Sequence, residues 1–189
     1  MIKTGIILLA AGAGKRFGGN KLEAVVQGKP MYRYALDAIR CQTSIIQAVV
    51  VTSNPTIAAE AAIEHMEVVH NPFPELGISR SIHMGMERLL ELCPEIEAVM
   101  FMVCDQPWLR SETLNRMITN FDYGIMALEY NGQHGNPAIF SRKYFHELMQ
   151  LTGDVGGRQV MEKHKEAVYY LKVFDEKELR DIDRREELE

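Results

Sequence analysis

The residues best suited to chemistry lie in a glycine-rich segment near the N-terminus. Residues 9–21 read Leu-Ala-Ala-Gly-Ala-Gly-Lys-Arg-Phe-Gly-Gly-Asn-Lys and combine four glycines with the cations Lys15, Arg16 and Lys21. Small residues allow the backbone to approach a ligand closely and to direct successive amides at an anion. Arginine and lysine side chains pair with phosphate oxygens. The segment therefore predicts a loop that binds the triphosphate of a nucleotide.

Two better-known phosphate loops do not fit this segment. A P-loop reads G-x-x-x-x-G-K-[ST], whereas residues 14–19, which have its glycine spacing, are followed by Asn20 and Lys21. A dinucleotide fingerprint reads G-x-G-x-x-G, and Phe17 stands where its third glycine belongs. That fingerprint also needs an acidic residue after the second strand, where residues 53–54 are Ser-Asn. An ordinary glycine-rich connector is the structural alternative, and the three cations argue against it.

A carboxylate follows a strongly apolar stretch in the middle of the chain. Residues 98–103 read Ala-Val-Met-Phe-Met-Val, and Cys-Asp-Gln-Pro follows at 104–107. Because Pro107 cannot continue a central strand, Asp105 is predicted to lie at the strand's carboxyl end. Ligands of open α/β sheets bind at that edge, where a carboxylate can hold a magnesium ion against phosphate oxygens. Asp105 could instead cap the following helix, although Ser111 is better placed to do so.

The order of the apolar segments predicts the elements that position these residues. Short runs rich in Val, Ile and Leu indicate buried strands, and helical periodicities separate them. Strands are predicted at 5–10, 47–52, 67–70, 98–103, 124–129, 137–141 and 167–171, and helices at 30–41, 56–65, 79–91, 111–120, 142–151 and 156–163. This alternation favours a single three-layer α/β/α domain, residues 1–189, with a mostly parallel, twisted, Rossmann-like sheet. The charged tail, residues 175–189, is predicted to be a solvated terminal helix.

Composition excludes several other classes of protein. The 189-residue chain has a net charge of -5, so no general basic field attracts nucleic acid. Its three cysteines are far apart and form no C-x-x-C pair, which argues against a zinc site or a disulfide framework. The N-terminal apolar run is too short for a signal peptide, and no segment is long enough to span a membrane. We expect a cytoplasmic protein that binds neither nucleic acid nor membranes.

Both candidate segments resemble motifs of the nucleotidyltransferases related to molybdenum cofactor guanylyl- and cytidylyltransferases. Residues 9–21 resemble the family's signature loop, L-A-A-G-x-x-x-R-x-G-x-x-K, and residues 104–107 resemble the metal-binding motif of its MocA-like, cytidylyltransferase branch. Further similar segments follow in the family's order: G-I-S-R-S at 77–81 with Gly85, G-N-P at 135–137, G-D-V-G-G-R at 153–158 and D-I-D-R-R-E-E-L at 181–188. The resemblance therefore covers nearly the whole chain and implies a nucleotidyltransferase of GT-A-like fold.

The chain also departs from the family pattern at a few positions. Gly14 stands where serine is usual, and Phe17 replaces methionine in the signature loop. Asn136 replaces histidine in the G-H-P segment, and Arg184-Arg185 replace Thr-Pro near the end. The departures in the signature loop leave phosphate binding plausible, whereas Asn136 bears on the contacts to the acceptor.

The resemblance also implies a role for individual residues. Nucleotide binding would fall to Leu9, Ala10, Ala11, Gly12, Gly14, Lys15, Arg16, Lys21, Ser79 and Ser81. The catalytic residues would be Arg16, Lys21 and Asp105, and the ligands of Mg²⁺ would be Asp105 and Asp183. The acceptor would be bound by Gln106, Asn136, Pro137, Asp154 and Arg158. The residue types alone leave other roles open, because Ser79, Ser81 and Asp154 could cap helices and Asp183 could be a solvated tail residue.

The reaction implied by the resemblance is the transfer of CMP from CTP to the terminal phosphate of molybdopterin, with release of pyrophosphate. A transient complex with a xanthine dehydrogenase-like apoenzyme is implied as well. The presence of Ala11-Gly12 in place of Gly-Gly, and of Asp-Gln-Pro at 105–107, favours CTP over GTP. The alternatives are a guanylyltransferase, a sugar- or alditol-phosphate nucleotidyltransferase of the same fold, and a non-catalytic carrier of the pterin cofactor.

Overall fold

A seven-stranded sheet forms the centre of the molecule. The computed structural model of the chain describes residues 1–12, 17–122 and 124–188. The strands are β1 (Thr4–Ala10), β2 (Val25–Val26), β3 (Lys29–Pro30), β4 (Ile45–Thr52), β5 (Glu67–His70), β6 (Ala98–Val103), β7 (Ile125–Tyr130), β8 (Gln133–Ser141) and β9 (Val168–Lys172). The short strands β2 and β3 pair with each other, and the other seven form the sheet in the order β5-β4-β1-β6-β8-β7-β9.

Helices cover both faces of this sheet. They are α1 (Met31–Arg40), α2 (Pro55–Ile63), α3 (Ile78–Leu92), α4 (Ser111–Asn120), α5 (Phe145–Leu148) and α6 (Arg158–Lys163). Single 3₁₀ turns lie at Lys21–Glu23, Pro74–Leu76, Arg142–Tyr144, Lys165–Ala167, Glu176–Leu179 and Arg185–Glu187. None of the described helices combines the length and the apolar character that crossing a bilayer requires.

Strand β1 shows how the sequence produces two cores. Successive side chains of a strand point to opposite faces, so Ile6 and Leu8 pack with α1, α2 and α4 on one side of the sheet. Ile7 packs with α3 and α5 on the other side. Both faces of β1 are buried, which explains its uninterrupted run of aliphatic residues. The predicted three-layer α/β arrangement is confirmed.

The sheet is mostly parallel, as predicted, and β8 is its reversed strand. Strand β1 pairs in parallel with β4 and β6, whereas β8 is antiparallel to both β6 and β7. A two-residue turn joins β7 to β8, and Asn131 and Gly132 have φ values of 47° and 84°. Asn-Gly with positive φ at both positions is the usual tight hairpin turn. This dipeptide is the signal that would have predicted the hairpin, and our prediction of separate strands overlooked it.

The prediction of a solvated terminal helix was wrong. The described part of the tail, residues 175–188, contains two 3₁₀ turns and no α-helix. Glu178 is 2% exposed and Ile182 is fully buried, so the tail packs against the body of the protein. Two further helices are shorter than predicted. The one expected at 142–151 divides into a 3₁₀ turn and α5, and the one expected at 156–163 begins at Arg158.

Candidate active site

A cavity of about 610 Å³ opens at the carboxyl ends of β1 and β6. This is the edge at which open α/β sheets bind their ligands. Three groups of residues form its walls: the described part of the signature segment (residues 9–21), the entry to α3 with the loop before α6, and the acidic residues Asp105, after β6, and Asp183, near the end of the chain. They include Leu9, Ala11, Gly12, Phe17, Lys21, Gly77, Ile78, Ser81, Asp105, Gly153, Asp154 and Asp183. Many of the residues predicted from the sequence thus share this first cavity.

Lys21 joins the two predicted metal ligands. Its Nζ donates to Asp105 Oδ2 and to Asp183 Oδ1, both at 2.8 Å, although the two carboxylates are 78 residues apart in the chain. The Lys21 side chain is 10% exposed. Burial by itself lowers the pKa of Lys21, but the hydrogen bonds and charges of Asp105 and Asp183 outweigh it and raise that pKa. The site therefore concentrates one fixed positive charge between two negative ones.

The rest of the signature segment is only partly described. Gly14, Lys15 and Arg16, all predicted to bind the nucleotide, lie outside the described residues. Leu9, Ala11 and Gly12 line the first cavity, whereas Ala10 is buried beneath it. The carbonyl oxygen of Ala10 accepts a hydrogen bond of 2.9 Å from Thr52 Oγ1, which ties β1 to the end of β4.

Two glycines fix the wall of the cavity near α3. Gly77 has φ +99° and precedes the helix, and a Cβ atom added there would lie 2.2 Å from the carbonyl oxygen of Gly153. Only glycine permits this close approach together with a positive φ. Ser79 strengthens the contact, because its Oγ donates to Gly153 O at 2.8 Å and its backbone N–H does so at 3.2 Å. Gly77 was not among the site residues predicted from the sequence, although a glycine before a helix was the available signal.

The helix-capping interpretations were wrong. Helix α3 begins after Gly77 without a side-chain cap, so neither Ser79 nor Ser81 caps it. Helix α6 begins after Gly157, also without a side-chain cap, and Asp154 lines the cavity. Ser111 likewise does not cap α4 with its hydroxyl group. The side chains of Ser79, Ser81 and Asp154 therefore do not cap these helices.

A second cavity of about 910 Å³ adjoins the first and shares Leu9, Ile78 and Val103 with it. Of the residues predicted to bind the acceptor, Gln106, Asn136 and Arg158 line this second cavity. Pro137 lines neither cavity, and Asp154 lines the first cavity instead of the second. A stacked aromatic pair, His134 and Tyr170, with ring centroids 3.8 Å apart, forms part of the same wall.

Sequence reasoning also missed Asp181, which lies in the second cavity. Its Oδ1 accepts a hydrogen bond of 2.8 Å from Gln106 Nε2. Desolvation, followed by the nearby charge of Asp105, raises the pKa of Asp181 to about 6, and the hydrogen bond from Gln106 opposes this shift. The signal was the alternation Asp181-Ile182-Asp183, in which the middle side chain is buried and its neighbours face away from the core.

The buried residue Ile182 anchors residues 181–188, here called the closing segment, to the site. Its side chain packs with Phe17, Val26 and Met31, and its backbone N–H donates to Asp105 O at 3.0 Å. Arg185 lies over the ring of Phe17, 5.1 Å from its centroid, and its Nε donates to Phe17 O at 3.3 Å. Phe17 and Arg185, which both depart from the family pattern, therefore contact each other.

Comparison with known proteins identifies the family. Residues 6–168 match the model of the MobA-like NTP transferase domain. The chain belongs to this family. It is therefore a nucleotidyltransferase, as the glycine-rich segment and Asp105 led us to expect. The comparisons do not distinguish the cytidylyltransferase branch from the guanylyltransferase branch.

Two relatives in Bacillus cover most of this MobA-like chain. The "Probable molybdenum cofactor guanylyltransferase" of Bacillus licheniformis is 26% identical over 76% of this chain and 73% of its own length. The "Purine catabolism protein PucB" of Bacillus subtilis is 24% identical over 96% of this chain and 92% of its own.

Among solved structures, Rv0371c of Mycobacterium tuberculosis H37Rv is similar, with 26% identity and a TM-score of 0.76. That match covers 91% of this chain and 88% of Rv0371c. A second structure of Rv0371c, in complex with manganese, matches with 25% identity and a TM-score of 0.73, covering 92% of this chain and 89% of that one.

Proposed function

We propose that this MobA-like domain transfers CMP from CTP to the terminal phosphate of molybdopterin and releases pyrophosphate. The observation that carries the proposal is the placement of Lys21 between Asp105 and Asp183 in a cavity bordered by the signature segment. A cation and two carboxylates at the end of buried strands suit a triphosphate and its metal ion. The relative named molybdenum cofactor guanylyltransferase supports the acceptor class. The preference for CTP rests on Ala11-Gly12 and on the motif at 105–107.

The donor set fits a magnesium ion that arrives with a nucleotide. Among the described residues, no group of three or more His, Cys, Asp or Glu side chains is arranged to hold a metal ion. Mg²⁺ nevertheless commonly uses one or two protein carboxylates and completes its octahedron with water and phosphate oxygens. Asp105 and Asp183 supply such a pair. The bound ion would neutralise charge on the triphosphate during transfer.

The residues of the chain contribute position and charge. When phosphate oxygens occupy the first cavity, Lys21 can exchange its two carboxylate partners for them and balance the negative charge that grows on the leaving pyrophosphate. No nucleophilic side chain is needed, because the acceptor phosphate supplies the attacking oxygen. Asp105 and Asp183 would then turn their carboxylate oxygens from Lys21 to the metal ion. Arg16 would add a second cation on the triphosphate.

The second cavity is the proposed site of the acceptor. It shares three residues with the first cavity, so a molecule bound there can present a phosphate to the nucleotide. Gln106, Asn136 and Arg158 line it with hydrogen-bonding groups, and the His134–Tyr170 pair offers a flat surface. In this proposal the chain acts as one domain in the cytoplasm and hands its product to a xanthine dehydrogenase-like apoenzyme.

The test is release of pyrophosphate with Mg²⁺, molybdopterin and either CTP or GTP. We expect release with CTP that falls at least 100-fold in the variant Asp105→Asn. The matched control is Asp122→Asn, because Asp122 is exposed and precedes β7 at the opposite edge of the sheet. Release that requires GTP would move the protein to the guanylyltransferase branch, which the name of the Bacillus licheniformis relative favours. Tight binding of the pterin without any release would favour the carrier function and contradict catalysis.

A further inference from the structure

Two consecutive glycines separate Phe17 from Lys21 in the described part of the signature segment. Gly18 and Gly19 have φ values of +73° and +153°. Because glycine occupies positive φ freely, the backbone of this pair does not by itself fix the direction in which the chain leaves Phe17. The position of Lys21 therefore depends on contacts made on either side of the two glycines.

The closing segment supplies a contact on each side of the glycine pair. Before the pair, the Arg185 guanidinium lies over the Phe17 ring, 5.1 Å from its centroid, and its Nε donates to Phe17 O at 3.3 Å. After the pair, Asp183 Oδ1 accepts a hydrogen bond of 2.8 Å from Lys21 Nζ. A Cβ atom added at Gly19 would lie 3.4 Å from Arg185 Nη2, so the guanidinium also lies against the glycines themselves. Residues 17–21 are thus held at both ends by one short segment.

Glu187 joins the two residues that make these contacts. Its Oε2 accepts hydrogen bonds from the backbone N–H groups of Asp183 at 2.6 Å and of Arg184 at 2.9 Å. These bonds tie Asp183 to the 3₁₀ turn Arg185–Glu187. Arg185 and Asp183 therefore belong to one hydrogen-bonded unit, and the contact of Arg185 with Phe17 bears on where Asp183 meets Lys21.

Arg185 does not line either cavity, whereas Phe17 and Lys21 both line the first. We propose that Arg185 is a positioning residue for triphosphate binding, which acts through Phe17 to hold Lys21 toward the first cavity. A loop that is fixed before its ligand arrives loses less conformational entropy when the ligand binds. Because Phe17 and Arg185 both differ from the family pattern, the resemblance assigns a role to neither. The inference rests on the proposed function, in that a triphosphate must occupy the first cavity.

The test measures binding by calorimetry without an acceptor, using inorganic tripolyphosphate, CTP and GTP, each with Mg²⁺. Arg185→Lys keeps the positive charge and removes both the flat group that stacks on Phe17 and the Nε donor. We expect this variant to weaken tripolyphosphate roughly 3- to 10-fold, which is the usual worth of one stacked cation and one hydrogen bond. The nucleotide that the wild-type protein binds should weaken by the same factor, because the contact bears on the phosphates and not on the base.

Arg116→Lys is the matched control. The Arg116 guanidinium lies over the Phe174 ring, also 5.1 Å from its centroid, and its Nη2 donates to Lys172 O at 3.1 Å. This pair has the same kind of stacking and backbone hydrogen bond, but neither residue lines a cavity. Arg116→Lys should therefore leave the affinity for tripolyphosphate unchanged.

A second variant, Phe17→Leu, tests whether Arg185 acts through the aromatic ring. Residues that act through a direct contact have non-additive effects. With Leu at position 17 there is no ring for the guanidinium to stack on. The further loss of affinity caused by Arg185→Lys in Phe17→Leu should then be smaller than in the wild-type protein, by a factor of at least about two.

The outcomes separate the inference from the proposed function. If the wild-type protein binds neither tripolyphosphate nor either nucleotide, both fail. If it binds them and Arg185→Lys binds as tightly as Arg116→Lys, the positioning role is refuted and the transferase proposal survives.

Two other results would also overturn the positioning role. One is an equal effect of Arg185→Lys with Phe or Leu at position 17, which would exclude the ring contact. The other is a lower resistance of Arg185→Lys to urea with unchanged affinity, which would make the contact purely structural. Circular dichroism checks folding, and because Arg185 is exposed, Arg185→Lys decides the matter even if Phe17→Leu does not fold.

Discussion

At the scale of single residues, Lys21 is the group whose removal should harm catalysis most directly. It is the described cation that contacts both Asp105 and Asp183, and the transferring phosphates need a fixed positive charge. Lys21→Met keeps the length of the side chain and removes the charge. We expect kcat/KM for pyrophosphate release to fall roughly 100- to 1,000-fold, since that is the usual cost of removing one electrostatic contact to the transition state. The control is the exposed Lys3→Met, and equal activity in the two variants would contradict the proposed role.

Asp181 should couple stability to pH. Its pKa is raised to about 6 in the folded protein, above the value of about 3.8 that it has when unfolded. Between these values the folded state holds a proton that the unfolded state has lost, so stability falls as pH rises through this range and stays lower above pH 6. Asp181→Asn removes this penalty while keeping an oxygen that can accept from Gln106.

The variant Asp181→Asn should therefore unfold at a higher temperature than wild type at pH 7.5 and at the same temperature near pH 4. Asp181 is exposed, so solvent screening limits the gain to less than about 1 kcal/mol. Thermal denaturation at pH 4, 6 and 7.5 in metal-free buffer measures it. A difference that is constant across this range would show that the titration of Asp181 is not its cause.

At the scale of elements, the contact between Gly77 and Gly153 holds two segments together at the first cavity. Gly77→Ala would place a methyl group 2.2 Å from the Gly153 carbonyl oxygen and would also strain a φ of +99°. We expect a loss of about 2–4 kcal/mol in the free energy of unfolding and at least a 10-fold weaker affinity for Mg·CTP. Urea denaturation and calorimetry measure the two effects.

Gly28→Ala is the matched control for this substitution. Gly28 has φ +84°, but a Cβ atom there would meet no atom within 4 Å. It therefore reproduces the backbone strain without the collision, and it should cost only about 1 kcal/mol and leave affinity unchanged. Equal losses in the two variants would mean that strain alone, and not the contact with Gly153, matters at position 77.

How far the sequence predicted these elements depended on the kind of signal. Strand β1 and Asp105 were predicted because buried aliphatic runs and a following proline are local features. Asp183 was paired with Asp105 only through the family resemblance, because no local feature shows that Asp183 reaches Lys21 once the sheet has formed. The hydrogen bond from Asn71 to Ser81 likewise joins residues of two different elements. Such contacts follow from tertiary packing and not from spacing.

At the scale of the whole molecule, the closing segment completes the site. Its many charges led us to predict a solvated helix, yet the single apolar residue Ile182 is fully buried with Phe17, Val26 and Met31. The burial of Ile182 does not require its charged neighbours to be buried in the core, because Asp181 and Asp183 line the two cavities. The segment can therefore pack against the body of the protein despite its many charges. Asp183, the second predicted metal ligand, is therefore held in place by packing from the end of the chain.

Ile182→Ala should consequently damage stability and catalysis together. Truncating a fully buried isoleucine costs about 2–5 kcal/mol, whereas Ile63→Ala, at a residue 73% exposed, should cost less than about 0.5 kcal/mol. At temperatures where Ile182→Ala is still folded, the loosened segment should no longer hold Asp183 against Lys21. We therefore expect pyrophosphate release to require several-fold more Mg²⁺ in Ile182→Ala than in Ile63→Ala. An unchanged magnesium requirement in a folded, destabilised Ile182→Ala protein would show that the segment stabilises the domain without positioning its metal ligand.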